Sequence, residues 1–123
     1  MRILICGLGS IGQRHIRVLK NLYGKKLRLF SLKDSQKKFV INDNFKIKKV
    51  NSICKYYKIK IIKLNNLKKY NIKTAYICTP PSSHLGLAKK LTMLNCNLFI
   101  EKPISKNTKK LKKIYKVIKQ KKL

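Results

Sequence analysis

The chain has 123 residues, with 32 lysines and arginines against 3 aspartates and glutamates, which gives a formal charge of +29. This length fits one compact domain and excludes a multi-domain chain of several hundred residues. A hydrophobic content of 44%, with 5 glycines and 3 prolines, excludes a disordered or fibrous chain.

The basic charge has two interpretations. Arginine accounts for only 4 of the 32 basic residues, whereas nucleic-acid surfaces favour its planar, bidentate guanidinium. Lysine together with abundant isoleucine and asparagine is typical of AT-rich coding, which we favour over a selected polyanion surface. In both cases we expect nonspecific binding to polyanions at low salt.

The first half of the chain begins with a clear pattern that later weakens. An apolar strand is predicted over 2–6, a glycine turn over 7–12, a helix over 13–22 that ends at Gly24, and a second strand over 27–31. The signal then weakens, with a candidate helix over 45–57, a strand over 59–64 and helical turns over 67–70.

The second half alternates strand and helix more clearly. A strand over 74–79 is stopped by Pro80-Pro81, a helix runs from Ser82 or Ser83 to about Leu94, a strand covers 97–100, and a last helix covers 106–121. This alternation predicts an α/β, Rossmann-type fold: a doubly wound parallel sheet in three layers.

The glycine turn has the GxGxxG spacing, with Gly7, Gly9 and Gly12. In this motif one glycine allows the tight turn, one allows the backbone to approach a pyrophosphate, and one allows the helix to pack closely on the strand. We expect the three glycines, Ser10 and Ile11 to hold the phosphates of a dinucleotide. The alternative is a tight turn without a ligand.

The end of the second strand predicts which dinucleotide is bound. An acid there would accept the ribose hydroxyls of NAD, whereas a basic or small polar residue tolerates the extra phosphate of NADP. Ser31 occupies this place and Lys33 stands close by, which favours NADP. A shift of the strand by a few residues would make Asp34 the ribose acid and favour NAD.

Further candidates follow the fourth and fifth strands, at the same edge of the sheet as the glycine turn. They are Thr79, Pro80, His84 and Lys102. The residues alone do not assign either side chain a function. Lys102 is as easily explained as one more surface lysine, and His84 is as easily explained as an ordinary helix residue.

Three segments together resemble the glucose-fructose oxidoreductase/inositol dehydrogenase/MocA (Gfo/Idh/MocA) family: GLGSIGQRH over 7–15, TPPSSH over 79–84 and EKPIS over 101–105. The resemblance implies an oxidoreductase that uses NADP or NAD to transfer hydride to or from a sugar, a cyclitol or a sugar nucleotide. It places Glu101 among the cofactor-binding residues and Lys102 at the nicotinamide. An ammonium there would polarise the reacting oxygen and stabilise its alkoxide character.

Family members continue with a sixth Rossmann strand and then a substrate domain that supplies most sugar contacts and usually a catalytic histidine. The resemblance therefore implies a doubly wound sheet truncated before the sixth strand. We expect residues 1–123 to form the NAD(P)-binding domain, with the C-terminal substrate domain absent and catalysis incomplete in this chain alone. His15 and His84 lie in nucleotide-domain motifs and are not assigned that catalytic role. Expected partners are a separate substrate domain or a second copy of the chain. The alternative function is a noncatalytic basic module that binds nucleic acid or another polyanion.

The cysteines predict no metal site. Cys6, Cys54, Cys78 and Cys96 form no CxxC pair, and Cys6 and Cys78 lie in apolar runs, so we expect buried thiols. No apolar run approaches the ~18 residues of a membrane span, and no secretory leader opens the chain. We therefore expect a cytoplasmic protein without membrane contact.

Overall fold

The computed structural model describes residues 1–36, 38–42, 44, 46–106 and 108–122. Its strands are β1 (Arg2–Cys6), β2 (Arg28–Ser31), β3 (Phe39–Ile41), β4 (Ile47–Lys49), β5 (Lys60–Ile61), β6 (Thr74–Ile77) and β7 (Asn97–Ile100). Its α-helices are α1 (Ser10–Tyr23), α2 (Ile53–Tyr57), α3 (Pro81–Met93) and α4 (Thr108–Gln120). Short 3₁₀ turns cover Gly24–Lys26 and Leu64–Asn66.

Within these residues, five strands form a parallel sheet in the order β5-β2-β1-β6-β7. The central strand β1 has Leu4 opposite Phe30 of β2 and Ala75 of β6. Ile3, Leu4 and Ile5 are fully buried, as expected for a parallel strand with both faces covered. The predicted Rossmann-type parallel sheet is confirmed.

Each face of the sheet is covered by its own apolar cluster. On one face Ile16 of α1 and Ile53 of α2 pack with Ile5. On the other face Leu91 of α3 packs with Ile77, and Ile114 of α4 lies against this cluster. The three predicted layers are therefore present, and the sheet's carboxyl edge lies between them.

The helix predicted over 45–57 is wrong. Lys46 and Val50 flank strand β4, which pairs antiparallel with β3, and only Ile53–Tyr57 is helical; Phe45 lies outside the described residues. The buried amide of Gln13 holds the hairpin against α1: its Nε2 donates to the Phe39 carbonyl at 3.1 Å and its Oε1 accepts from the Ile41 N–H at 3.0 Å. A distant side chain thus decided the conformation of a segment with weak local preference.

Smaller differences concern element boundaries. α1 begins at Ser10, inside the glycine turn, and α3 begins at Pro81 rather than at a serine. Proline suits the first helical position because its missing N–H would have no intrahelical partner there. The predicted strand over 59–64 is reduced to Lys60–Ile61, and a 3₁₀ turn follows at Leu64–Asn66.

α4 is the most exposed helix and has no buried residue. Its Ile114 packs against the second cluster, and just beyond the helix the Lys121 Nζ donates to Asn95 Oδ1 at 2.7 Å. Neither α4 nor any other helix of the described residues has the length and hydropathy to cross a membrane.

Candidate functional site

The carboxyl ends of the parallel strands bring the predicted site segments to one edge. The glycine turn follows β1, Ser31 ends β2, Thr79 follows β6, and Glu101 follows β7. Because β1, β2, β6 and β7 are mutually parallel, these four ends lie side by side. Segments separated by most of the chain length therefore form one continuous edge.

Gly7 and Gly12 are required by the close approach of turn, strand and helix. Gly7 has a φ of 100°, and a Cβ on it would lie 2.5 Å from the carbonyl oxygen of Cys78. A Cβ on Gly12 would overlap the Gly7 carbonyl oxygen and lie 3.0 Å from its carbon. In both cases the added Cβ would meet backbone atoms, so only glycine fits either position.

Gly9 differs, because a Cβ built on it meets nothing within 4 Å. It is the N-cap of α1, no side chain caps the helix there, and the first turn contains no acidic residue. The N–H groups of Ser10, Ile11 and Gly12 precede the first helical hydrogen bond, which runs from the Gln13 N–H to the Gly9 carbonyl at 2.9 Å. Such N–H groups have no intrahelical acceptor and carry partial positive charge. The start of α1 is thus an open, uncapped place that fits the phosphates of a dinucleotide.

The segment after β2 contains the residues predicted to decide between the cofactors. Ser31 is buried, and its hydroxyl donates to the Lys33 carbonyl at 2.8 Å. Lys33 itself is exposed. The serine hydroxyl therefore shapes the turn that carries the lysine.

Asp34 uses its carboxylate within the chain. Oδ1 accepts the N–H groups of Ser35 at 2.8 Å and Cys54 at 3.1 Å, and Oδ2 accepts the Ser52 hydroxyl at 2.5 Å. Burial alone would raise the pKa of this carboxyl, but the hydrogen bonds outweigh it and lower the pKa. Asp34 thereby joins the β2 loop to the start of α2.

Replacing Asp34 by alanine is expected to lower the free energy of unfolding by about 1–2 kcal/mol, because donors at the start of α2 lose their acceptor. Since the folded-state pKa is lowered, the stabilisation is complete above the ordinary value of 3.8 and is lost as the pH falls through the lowered value. Urea unfolding at neutral and acid pH measures both effects. Gln36→Ala, an exposed change in the same loop, is the control, and an equal loss in both variants would contradict this role.

The turn after β6 is held by α3. His84 is fully buried, and its Nε2–H donates to the Thr79 carbonyl at 2.6 Å. The Ser83 hydroxyl lies 2.7 Å from Thr79 Oγ1 and 2.8 Å from the Pro80 carbonyl. Nδ1 of His84 has no hydrogen-bond partner in the part of the chain that the structure describes. His84 thus acts on the shape of the Thr79–Pro80 turn, while Pro80 is exposed at the edge.

The EKP segment after β7 is joined to α1 by a contact that the sequence analysis missed. His15 Nε2 lies 2.5 Å from Glu101 Oε1. Lys102, the next residue, is exposed at the edge of the sheet, and its bond to Pro103 is cis. The only signal in the sequence is that both partners belong to the motifs of the family resemblance.

The cysteines are free thiols. Cys6, Cys54 and Cys96 are buried, whereas Cys78 is half-buried below the glycine turn. Burial, the largest cause, raises the pKa of the Cys78 thiol to about 12, so it stays protonated at neutral pH. Among the described residues, no group of three or more histidine, cysteine or acidic side chains is arranged to hold a metal ion.

Two cavities of the described residues lie away from the glycine turn. One of about 820 Å³ is lined by Lys20, Arg28, Tyr57 and neighbours. Another of about 910 Å³ extends from Leu32 to the side of α3. Neither is lined by the residues of the glycine turn or of the EKP segment.

The fold and this edge define a dinucleotide-binding domain. The model of the oxidoreductase family with an NAD-binding Rossmann fold, GFO_IDH_MocA, matches residues 1–123. The chain therefore belongs to the Gfo/Idh/MocA family, as its motifs predicted, and it is an NAD-binding domain of that oxidoreductase family. The alternative of a noncatalytic polyanion-binding module is not supported. No curated protein sequence matches the chain.

Solved structures of low sequence identity share the fold. UDP-N-acetylglucosamine 3-dehydrogenase GnnA from Acidithiobacillus ferrooxidans is 17% identical with a TM-score of 0.72. The matched region covers 100% of this chain and 36% of the GnnA chain. An oxidoreductase from Bacillus cereus is 21% identical with a TM-score of 0.72, covering 100% and 33%. Biliverdin reductase from Synechocystis sp. PCC 6803, in complex with biliverdin and NADP+, is 16% identical with a TM-score of 0.73, covering 98% and 35%. The chain thus spans about a third of the length of these proteins.

Proposed function

We propose that residues 1–123 bind NADP(H) in preference to NAD(H) and present it for hydride transfer to or from a sugar, a cyclitol or a sugar nucleotide. The observation that carries the proposal is the uncapped start of α1 at Gly9, with open space where a pyrophosphate would approach the backbone. Gly7 and Gly12 shape the turn, and the backbone of Ser10 and Ile11 supplies N–H donors.

The preference for NADP(H) is supported by the loop after β2. The Asp34 carboxylate is engaged by Ser52, Ser35 and Cys54, so a ribose would have to compete with these donors for it. Lys33 is exposed on the same loop, and Ser31 adds no charge. An ammonium without a competing carboxylate attracts the additional phosphate of NADP.

The chemistry of the proposed reaction is divided between cofactor and protein. Bound nicotinamide supplies the hydride chemistry. Lys102 is proposed to polarise the reacting oxygen and to stabilise negative charge on it. Glu101, Thr79, Pro80 and His84 shape the neighbouring edge against which the cofactor lies.

The complete activity is proposed to need a substrate domain, encoded downstream or supplied by a separate chain, because the proteins of similar fold are about three times as long. A second copy of the chain is the other proposed partner. The free thiols are consistent with a reducing cytoplasm. Nonspecific binding to polyanions at low salt is expected from the charge of +29.

Titration with NADPH and NADH in moderate salt, followed by nicotinamide fluorescence, tests the proposal. We expect saturable binding of both, with NADPH the tighter ligand. Moderate salt suppresses nonspecific attraction of a dinucleotide to the basic surface. Absence of saturable binding would refute the proposal, and tighter binding of NADH would refute the stated preference.

Lys33→Ala is expected to weaken NADPH binding about fivefold, equivalent to about 1 kcal/mol for an exposed ion pair, and to leave NADH binding nearly unchanged. Lys25→Ala removes the same charge from an exposed lysine in the turn after α1 and is the matched control. Isothermal titration calorimetry on both variants measures the effect. An equal loss in both variants would assign it to net charge rather than to the ribose phosphate.

A further inference from the structure

His15 joins the helix of the glycine turn to the EKP segment. It lies on α1, three residues after Gly12, and its Nε2–H donates to a carboxylate oxygen of Glu101, 86 positions along the chain. The His15 and Glu101 side chains are 21% and 26% exposed, respectively. The contact is therefore shielded from most of the solvent, at the edge where the cofactor is proposed to bind.

Two aromatic side chains hold the imidazole of His15 in place. Its ring centroid is 5.3 Å from that of Tyr76 on β6 and 4.9 Å from that of Phe99 on β7, the latter in an edge-on arrangement. Tyr76 and Phe99 stack on each other at 4.8 Å. These contacts restrict the ring orientation and so direct Nε2 at Glu101.

Both the backbone and the side chain of Glu101 are held by hydrogen bonds. Its own N–H donates to the Ile77 carbonyl at 3.0 Å, and its carboxylate accepts the hydrogen bond from His15. The hydrogen bond from His15 lowers the pKa of Glu101, which burial opposes, and the charges of His15 and Lys102 lower it further. The carboxylate therefore remains ionised near neutral pH and accepts the hydrogen bond from His15.

We propose that His15 is a positioning residue that acts through Glu101 to hold the backbone of Lys102 in a fixed place relative to the glycine turn. The glycine turn, which is proposed to receive the phosphates, then moves together with Lys102, which is proposed to act at the reacting oxygen. The inference rests on the proposed role of Lys102, although the link itself exists without cofactor. A neutral or a protonated His15 can donate from Nε2, so the link needs an N–H donor rather than a charge.

Amide hydrogen exchange of the chain without nucleotide, resolved by NMR, tests the link. His15→Phe keeps an aromatic ring against Tyr76 and Phe99 but removes the donor. We expect the exchange rate of the Glu101 amide, which donates to the Ile77 carbonyl, to rise at least about tenfold, while the amides of β1 stay unchanged. His15→Gln supplies an amide donor and is expected to restore most of the protection. Val18→Ala, an exposed change on α1, is the control and should leave the exchange of the Glu101 amide unchanged.

A second variant approaches the same link from its acceptor. Glu101→Ala is expected to raise the exchange of the amide at position 101 as His15→Phe does, and the combined variant should add little. Unchanged exchange at position 101 in the single variants would overturn the proposal. A uniform rise across the sheet, without rescue by His15→Gln, would assign His15 a merely structural role and would overturn it as well.

NADPH titration of the same variants separates this inference from the proposed function. If the parent chain fails to bind NADPH, the proposed function is refuted, whereas the exchange data still decide whether His15 holds the backbone at Glu101, next to Lys102. If the parent binds NADPH, we expect cofactor to slow exchange at Glu101 in the parent and in His15→Gln, and to do so less in His15→Phe. If NADPH slows this exchange equally in the parent, His15→Gln and His15→Phe, then His15 does not couple the cofactor site to the EKP segment.

Discussion

Gly9→Ala is expected to weaken NADPH binding about thirtyfold, which corresponds to about 2 kcal/mol, while changing the free energy of unfolding by no more than about 1 kcal/mol. The methyl group enters space that is open in the structure, so the folded chain accepts it. The same space is where the pyrophosphate is proposed to approach the backbone, and filling it costs about 1–3 kcal/mol in a tight contact. The small loss of stability reflects the poorer N-cap that alanine provides.

Calorimetric titration and urea unfolding of the same preparation measure the two effects separately. Gly86→Ala is the matched control, because a Cβ at this exposed position of α3 also meets nothing within 4 Å. It should leave NADPH affinity unchanged and raise the stability by up to about 1 kcal/mol, since alanine is the better helix former. If Gly9→Ala binds NADPH as the parent does, the phosphates do not lie at the start of α1.

Gly12→Ala is expected to lower the free energy of unfolding by about 3 kcal/mol or more, a large share of the roughly 5–15 kcal/mol of a typical domain. The added Cβ would overlap the carbonyl oxygen of Gly7 and lie 3.0 Å from its carbon. These are backbone atoms of the turn, so relief requires α1 to move away from β1. Such a movement would expose Ile16, which packs fully buried against the sheet.

Urea unfolding followed by circular dichroism measures this loss, and NADPH binding should fall with it because the start of α1 is displaced. The comparison with Gly9→Ala is informative, since the same methyl group is added three residues earlier in the same turn. We expect the Gly9 change to act on binding and the Gly12 change to act first on stability. A Gly12→Ala chain as stable as the parent would mean that α1 lies farther from the turn than described here.

The glycine turn, the apolar strands and the amphipathic helices were predictable because each depends on residues close together in the chain. The spacing of Gly7, Gly9 and Gly12 between an apolar run and a helical pattern predicted the β-α-β unit. The family motifs predicted the Gfo/Idh/MocA fold, which the match over 1–123 confirms. The roles of Ser31, Lys33, Lys102 and the other proposed cofactor-binding residues stay predictions.

The segment between β2 and β5 was not predictable in the same way. Its pattern of Ile47, Val50 and Ile53 allowed a helix, yet Ile47 belongs to a hairpin strand and is 71% exposed. The deciding contacts come from the Gln13 amide, on the preceding helix. Likewise, Asp34 was an alternative ribose acid by position, whereas the hydroxyl of Ser52, 18 residues away, engages its carboxylate.

The sequence by itself therefore determined the class of the domain, the order of its main elements and the place of the phosphate-binding turn, because local periodicity and glycine geometry act over a few residues. Only the tertiary structure decided which polar side chains pair with each other. His84 is buried beneath the Thr79 turn, and His15 meets Glu101 across 86 positions. Such pairings arise when separate strands end at one edge of a sheet, and no local pattern encodes the distance between two side chains brought there by the fold.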